Sequence, residues 1–405
     1  MATEKTQERT ERRLLAARVS LGRGMRPVSV EFLLIASTAV LLTAFGVVMV
    51  FSATTVTSIR DSGSPFGGGT THLIYAAVAI PAMFLLSRFP ASWFRKLAWI
   101  ALGLGIALQM LVFTPLGHEF GGNRNWILIG SSTLQPSEFL KLGLAVWLAF
   151  IIARKRPLAH RFWHAMIPLL PVAGLALATV MAGEDLGTTM IMALIVLGAM
   201  FFGGYPLRFI LPIVVVGLAG VSAAIFTSEN RMRRIFSVFD RECADYLDTC
   251  YQPLHGIWGL AGGGILGVGL GNSKEKYNWL PAAADDYIFA ILGEELGLLG
   301  CVVVLALFAV LAVAIFRIVQ RTDDLFVRVA AGSLGTWIIG QALVNIGVVL
   351  RVFPALGVPL PFLSSGGSSL IAILLACGVL LSFARTLPPR GGSADPQAER
   401  HKIVR

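Results

Sequence analysis

Residues 280–300 read LPAAADDYIFAILGEELGLLG, and the fold turns on how this stretch is taken. Two adjacent carboxylates, Asp285 and Asp286, stand where a long apolar run begins, and Glu294 and Glu295 follow roughly two helical turns later. An acidic side chain at the centre of a bilayer costs about 2.5 kcal/mol or more. A chain that keeps four of them at the head of a membrane-length helix has a use for them. The stretch therefore predicts a scaffold that holds Asp286 at the outer membrane surface, beside a basic, glycine-rich loop.

Composition agrees with a membrane protein. Of 405 residues, 56% are hydrophobic and only 14% are charged, with a mean hydropathy of +0.75. Soluble domains carry about 25% charged residues. Spans of about 17–25 apolar residues suffice to cross a bilayer. Ten can be read, near 30–52, 71–88, 96–113, 137–154, 165–182, 186–203, 208–227, 286–316, 327–350 and 368–385. The prediction is an all-α, polytopic bundle of ten transmembrane helices, with a large extracytoplasmic loop, 228–285, between helices 7 and 8. The transmembrane domain covers 30–386, between a basic cytoplasmic tail at 1–29 and a polar, Pro- and Gly-containing cytoplasmic tail at 387–405, expected to be disordered. The N-terminus carries no small-residue cleavage site, so no removable signal peptide is expected.

The net charge of +10 is explained by topology rather than by nucleic acid. With the N-terminus inside, 23 of the 33 basic residues fall on the inner side, nine on the outer side, and Lys141 within a span. Such asymmetry is the signature of positive-inside orientation, and it favours an even number of spans. Six of the nine outer cations lie in the 228–285 loop, against the topological tendency, so that cluster needs another reason. The same loop contains HGIWGLAGGGILGVGLG, residues 255–271. That piece is too short and glycine-rich to span, and is expected to re-enter or lie against the bundle, where protein covers its backbone.

Each motif has a plain reading and a chemical one. Asp285 suits a helix cap, whereas the Asp285–Asp286 pair at a basic surface also suits general-base chemistry. Glu138 and Lys141 share a helix face and could neutralise each other; Glu294 and Glu295 could be structural carboxylates or proton carriers. Asp185, in the tight turn before the sixth span, could cap that helix or join the site. Arg231, Arg234, Lys274 and Lys276 could form a solvated face or take a phosphate-bearing lipid. Arg124, beside Trp126, could contact an anion or anchor the interface. Cys243 and Cys250, exposed to an oxidising exterior, are expected to form a disulfide.

Taken in order, these pieces resemble one family. The matching residues are Gly46–Ala53, Gly122–Trp126, Gln135–Glu138 with Lys141, Asp185–Thr189, Arg231–Ile235, Gln252, Gly262–Gly271, Leu280–Gly300, Gln341–Gly347 and Pro354–Ser369. Over residues 46–369 the set is similar to the SEDS family of shape, elongation, division and sporulation proteins, which includes FtsW, RodA and SpoVE. The basic N-terminal tail and the PLPFLSSGGSS loop lean towards the FtsW type. The resemblance implies a peptidoglycan glycosyltransferase of the bacterial cytoplasmic membrane that polymerises lipid II on the outer face, for septal wall synthesis, with both termini cytoplasmic and a class B penicillin-binding protein as partner.

It also implies Asp286 as the catalytic residue, at the aspartate of a motif like LPEAHTDFIFA. The glutamate and histidine of that motif are Ala282 and Ala284 here, and Asp285 replaces its threonine. Substrate contacts are expected from Arg124, Lys141, Arg231, Arg234, Lys274, Lys276, Gln252, Ser364 and Ser368, with support from Glu138, Asp185, Asp285 and Glu295. A divalent cation, Mg or Mn, is a further expectation. Two other classes stay open. A lipid II flippase would use Glu138, Lys141 and Glu294 as a path, and a non-catalytic scaffold would recruit the transpeptidase.

Overall fold

The computed structural model describes residues 28–120, 122–130, 132–158, 161–239 and 250–387. Nearly all of both tails and Cys243, with its expected disulfide, lie outside the described residues. Ten apolar helices fall at the ten expected spans: α1 (Val30–Ser62), α2 (Gly67–Leu86), α3 (Ala91–Met110), α4 (Pro136–Lys155), α6 (Leu169–Met181), α7 (Leu186–Phe202), α8 (Leu207–Phe226), α11 (Ile288–Arg321), α12 (Leu325–Val349) and α13 (Gly367–Arg385). Eight of these are long and apolar enough to cross a membrane. The other two, α6 and α7, are apolar but have 13 and 17 residues. Pro168, which has no N–H to give a helix, separates α6 from the short α5 (Phe162–Met166). This is a multi-pass membrane protein.

The helices α4 and α13 are the most enclosed, and Trp147, Trp337 and Leu374 are fully buried among them. The two ends of the bundle's chain meet. The Ser29 hydroxyl caps α1 by accepting the Phe32 N–H and donates 2.7 Å to the Ala384 carbonyl at the end of α13. Arg385 lies over the Phe32 ring. The first span therefore starts, and the last one ends, on one face.

Three features depart from the expected bundle of spans and loops. A three-stranded antiparallel sheet, β1 (Gly117–Phe120), β2 (Asn123–Ile129) and β3 (Ser132–Leu134), fills the connection between α3 and α4. His118 pairs with Trp126 and Leu128 with Thr133, and left-handed glycines, Gly122 and Gly130, turn the chain. The second is that the long loop, expected only to re-enter or lie against the bundle, holds two helices among its described residues, α9 (Glu229–Phe239) and α10 (Tyr251–Gly263).

The third feature is a break in α11. At Gly297 the backbone leaves the helix (φ 67°, ψ −166°). The carbonyls and amides so released pair with the glycine-rich segment after α10. Val268 and Gly269 donate to the Glu294 and Glu295 carbonyls, each at 3.0 Å, while Leu298 and Leu299 donate to Gly264 and Ile265 at 2.9 and 3.1 Å. A Cβ at Gly297 would sit 2.3 Å from the Gly267 nitrogen, and one at Gly267 would sit 2.1 Å from the Glu295 carbonyl oxygen. Only glycines allow this approach.

The side chains of Glu294 and Glu295 complete the joint. Glu294 accepts the Lys274 N–H at 2.8 Å and the Ser273 hydroxyl. Glu295 accepts the Ser52 hydroxyl of α1 at 2.6 Å and faces the Lys276 ammonium at 3.1 Å. Lys276 is 4% exposed and Glu295 is 0% exposed, so this ion pair is fully desolvated. Removing one partner of such a pair costs about 3–5 kcal/mol, because the other stays charged and buried. Lys276→Met is therefore expected to lower the thermal unfolding midpoint of the purified protein sharply, and adding Glu295→Gln should recover much of the loss. An unchanged midpoint in Lys276→Met would show that the pair does not hold the loop.

Candidate functional site

The site is built where the segment before α11 meets the loop before α13. Ala282 takes a left-handed conformation (φ 51°), and the N–H groups of Asp285 and Tyr287 turn back to its carbonyl. The helix then starts at Ile288 with no side-chain cap. Asp285 is thus not the helix cap that its position suggested. Its carboxylate instead accepts the Ser365 hydroxyl, and its carbonyl accepts the Ser364 hydroxyl at 2.5 Å.

Asp286 is fixed through its backbone, which leaves its carboxylate available. The Asn345 amide on α12 donates to both the Asp286 carbonyl at 2.7 Å and the Val358 carbonyl at 2.8 Å. It clamps the aspartate segment to the loop. Gly357 (φ 65°) faces the carboxylate, and a Cβ there would come within 3.9 Å of Oδ2. Asp286 is half-buried, and Asp285 keeps exposed surface although protein crowds both from several sides. Burial first, then the neighbouring Asp285 charge, pushes the Asp286 carboxyl up to about 7, against the weaker pull of Arg234. Burial raises Asp285 as well, opposed by its bond from Ser365.

The predicted cations divide into two groups. Lys276 is consumed by Glu295. Lys141 is buried between Glu138 at 2.9 Å, the Gln341 amide oxygen at 2.8 Å and the Trp337 ring. Arg231 reaches the Glu184 carbonyl at 3.1 Å and the Ala224 carbonyl at 3.2 Å, and so ties α9 to the turn before α7. Arg124 is exposed and donates to the Thr114 carbonyl of the β-sheet region. Arg234 and Lys274 are exposed, and neither side chain has an ion pair among the described residues. These two cations are available, and the Arg234 charge is felt at Asp286.

The remaining predicted residues brace the segments around Asp285 and Asp286. Asp185 does cap α7, accepting the Thr188 N–H at 2.8 Å, and its other oxygen accepts the Gln135 amide at 3.3 Å. Ser368 accepts the Gln135 N–H at 3.1 Å. Gln341 carries the Pro359 carbonyl at 2.9 Å, which links the Glu138–Lys141 pair to the same loop that touches Asp286. Gln252 donates to the Pro281 carbonyl at 3.1 Å and supports the aspartate segment from α10. Three residues at this place were not singled out from sequence as site residues: Ser365, Asn345 and His72. His72, on the second turn of α2, is 1% exposed, and its imidazole lies near the Ser365 backbone without a hydrogen bond of ordinary geometry. A polar residue inside a span was the available signal for Asn345 and His72.

Among the described residues no group of three or more His, Cys, Asp or Glu side chains converges. A divalent cation beside Asp285 and Asp286 would have at most those two carboxylates from the described residues, so its other ligands would have to come from water and a substrate phosphate, as Mg2+ usually has them.

Comparison with known proteins identifies the fold and its lineage. A sequence model of the FtsW/RodA/SpoVE family, described as "Cell cycle protein", matches residues 32–387. A probable peptidoglycan glycosyltransferase FtsW of Mycobacterium tuberculosis is 36% identical over 364 residues, which is 90% of this chain and 69% of that one. The FtsW of Nitrosomonas europaea is 35% identical, over 88% of this chain and 93% of its own. Stage V sporulation protein E of Bacillus subtilis is 33% identical, over 89% and 98%. Among solved structures, a chain of a peptidoglycan synthase complex superposes with a TM-score of 0.70 at 24% identity, covering 87% of this chain and 96% of that one. Rod shape determining protein RodA of Thermus thermophilus superposes with a TM-score of 0.65 at 24% identity, over 88% and 97%. The chain belongs to the FtsW/RodA/SpoVE family.

Proposed function

We propose that this protein is an inverting peptidoglycan glycosyltransferase. It polymerises lipid II on the outer face of the bacterial cytoplasmic membrane, in septal wall synthesis, with both termini in the cytoplasm and a class B penicillin-binding protein as its transpeptidase partner. The observation that carries the reading is Asp286: a half-buried carboxylate anchored by its backbone, with its pKa pushed up to about 7 and, within its field, Arg234, which has no ion pair among the described residues. A general base works best when its pKa lies near the working pH.

Asp286 takes the proton from the 4-hydroxyl of the acceptor GlcNAc. That oxygen attacks the anomeric carbon of the donor MurNAc, the bond to the pyrophosphate breaks with inversion, and undecaprenyl pyrophosphate departs. Arg234 and Lys274 take up the charge that develops on the leaving group, where fixed cations contribute most. Mg or Mn, held chiefly by the substrate, would add to that charge stabilisation. Serving a lipid flippase would need a run of responsive charges through the bilayer. Glu138 and Lys141 are instead locked to each other and to Gln341, and Glu294 is locked to the 273–275 backbone.

Purified protein with lipid II, with and without its partner, gives the test. Asp286→Asn is expected to reduce polymerisation by about 100-fold or more, with lipid II still bound. Polymer at the wild-type rate from Asp286→Asn would refute the assignment.

The acid limb of activity gives a second test. A base with its pKa raised to about 7 is protonated and idle below that value, so the rate should rise with pH through about 7. Asp285→Asn removes a like charge that disfavours the Asp286 anion, and should move the limb to lower pH. Arg234→Gln removes an attraction and should move it to higher pH. A limb that ignores both changes would mean that another group governs it.

A further inference from the structure

The inner end of the bundle carries a cavity that the polymerisation site does not use. It has a volume of about 390 Å3 and lies between α3, the last turn of α4 and the connector that follows. Trp99, Phe150, Ile151 and Pro168 form apolar walls, and Arg154 and Lys155 are its only charged lining residues. That volume falls in the range of small-ligand pockets, about 300–1,000 Å3. Glu138, tied through Lys141 and Gln341 to the loop beside Asp286, starts α4, and these cations end it. Twenty residues at 1.5 Å each put roughly the bilayer thickness between the two sites.

The two cations are not equivalent. Lys155 is engaged: its ammonium reaches the His164 and Ile167 carbonyls and pins the connector onto α4. Arg154 is exposed, and its guanidinium has no carboxylate partner among the described residues, only the Phe150 ring at 5.9 Å. Among the described residues no carboxylate reaches it. Residues 91–118 and 139–183 contain no Asp or Glu at all, while they supply Arg95, Lys96, Arg154, Lys155, Arg156 and Arg161. Of the cations on α3, Arg95 is paired with Asp324, but Lys96 stands exposed.

We propose that this cavity is a binding site for one anionic phospholipid of the inner leaflet. A guanidinium presents parallel N–H donors that match two oxygens of a phosphodiester. Trp99, half-exposed, sits where tryptophans favour the membrane–water interface, and with Phe150 and Ile151 it packs the glycerol and the first methylenes. Basic pockets between spans at the cytoplasmic surface select anionic headgroups, with about 1 kcal/mol per cation near the surface. The leaflet depends on the orientation proposed above; the existence of the site does not.

Native mass spectrometry on the detergent-purified full chain can test it, because a micelle has no inner side. The protein is offered phosphatidylglycerol, phosphatidylcholine or inorganic phosphate. Wild type should retain one phosphatidylglycerol in preference to phosphatidylcholine, and phosphate in excess should not displace it. Arg154→Gln should weaken that retention about fivefold, while Lys96→Gln, outside the cavity, should leave it unchanged. If Arg154→Gln does not fold, Trp99→Ala should also weaken retention with the arginine intact. Equal retention of the two lipids, retention unaffected by either cavity variant, or displacement by phosphate alone would overturn the proposal.

Discussion

The break at Gly297 is the constraint on which the half of this protein that carries Asp286 rests. A helix interrupted at membrane depth releases N–H and C=O groups that lipid cannot satisfy. Here the released groups of residues 294–299 are taken by the backbone of 264–269, in four hydrogen bonds of 2.9 to 3.1 Å. Neither partner works alone. The glycine-rich segment has no regular structure of its own at this point, and α11 has no reason to break except to receive it. The fit is closed by backbones too near for any side chain between them, so the joint is stiff where a loop of this length would ordinarily be mobile.

That stiffness explains the acidic residues. Glu294 and Glu295 precede the break and point their carboxylates at residues 273–276, satisfying backbone donors that a loop buried in protein could not give to water. Lys276 then balances the charge. The residues that follow, 280–287, leave this anchored base and reach Asp286 with little freedom. From the other side Asn345, Gln341 and Ser364 hold the 354–366 loop against them. The carboxylate thus stands between two separately fastened segments, which is the arrangement that keeps a reacting group within a fraction of an ångström of its place.

Much of this was legible in the sequence, and the failures have physical causes. Apolar runs of membrane length name the spans because lipid leaves few alternatives, and all ten runs became helices. Asp286 stood out because an acidic pair at the head of such a run is costly. The strands at 117–134 gave no such signal: each is short, and His118, Arg124 and Trp126 alternate only weakly. The cations were less legible. Lys274 and Lys276 are two residues apart and look alike in sequence, yet one is exposed and the other is buried against Glu295, a partner 19 positions away. Asp285 was read as a cap because the left-handed Ala282, which turns the chain before the helix can start, leaves no mark in a string of alanines.

The balance at Asp286 shows why the surrounding cations must be few. A carboxylate beside arginine ordinarily ionises more easily, and a firmly paired one would be too weak a base to take a sugar hydroxyl proton. Here burial and the Asp285 charge outweigh the pull of Arg234. Arg231, Lys141 and Lys276 are each tied to protein carbonyls or carboxylates, which spends their charge on the scaffold and keeps it from Asp286. Arg234 and Lys274 are exposed and have no ion pair among the described residues, so on the proposed reading they remain for an anionic leaving group. If Asp286 is the base, as proposed, a pyrophosphate leaving group needs positive charge and the base needs its absence, and tying Arg231, Lys141 and Lys276 to structure while Arg234 and Lys274 stay exposed reconciles the two demands.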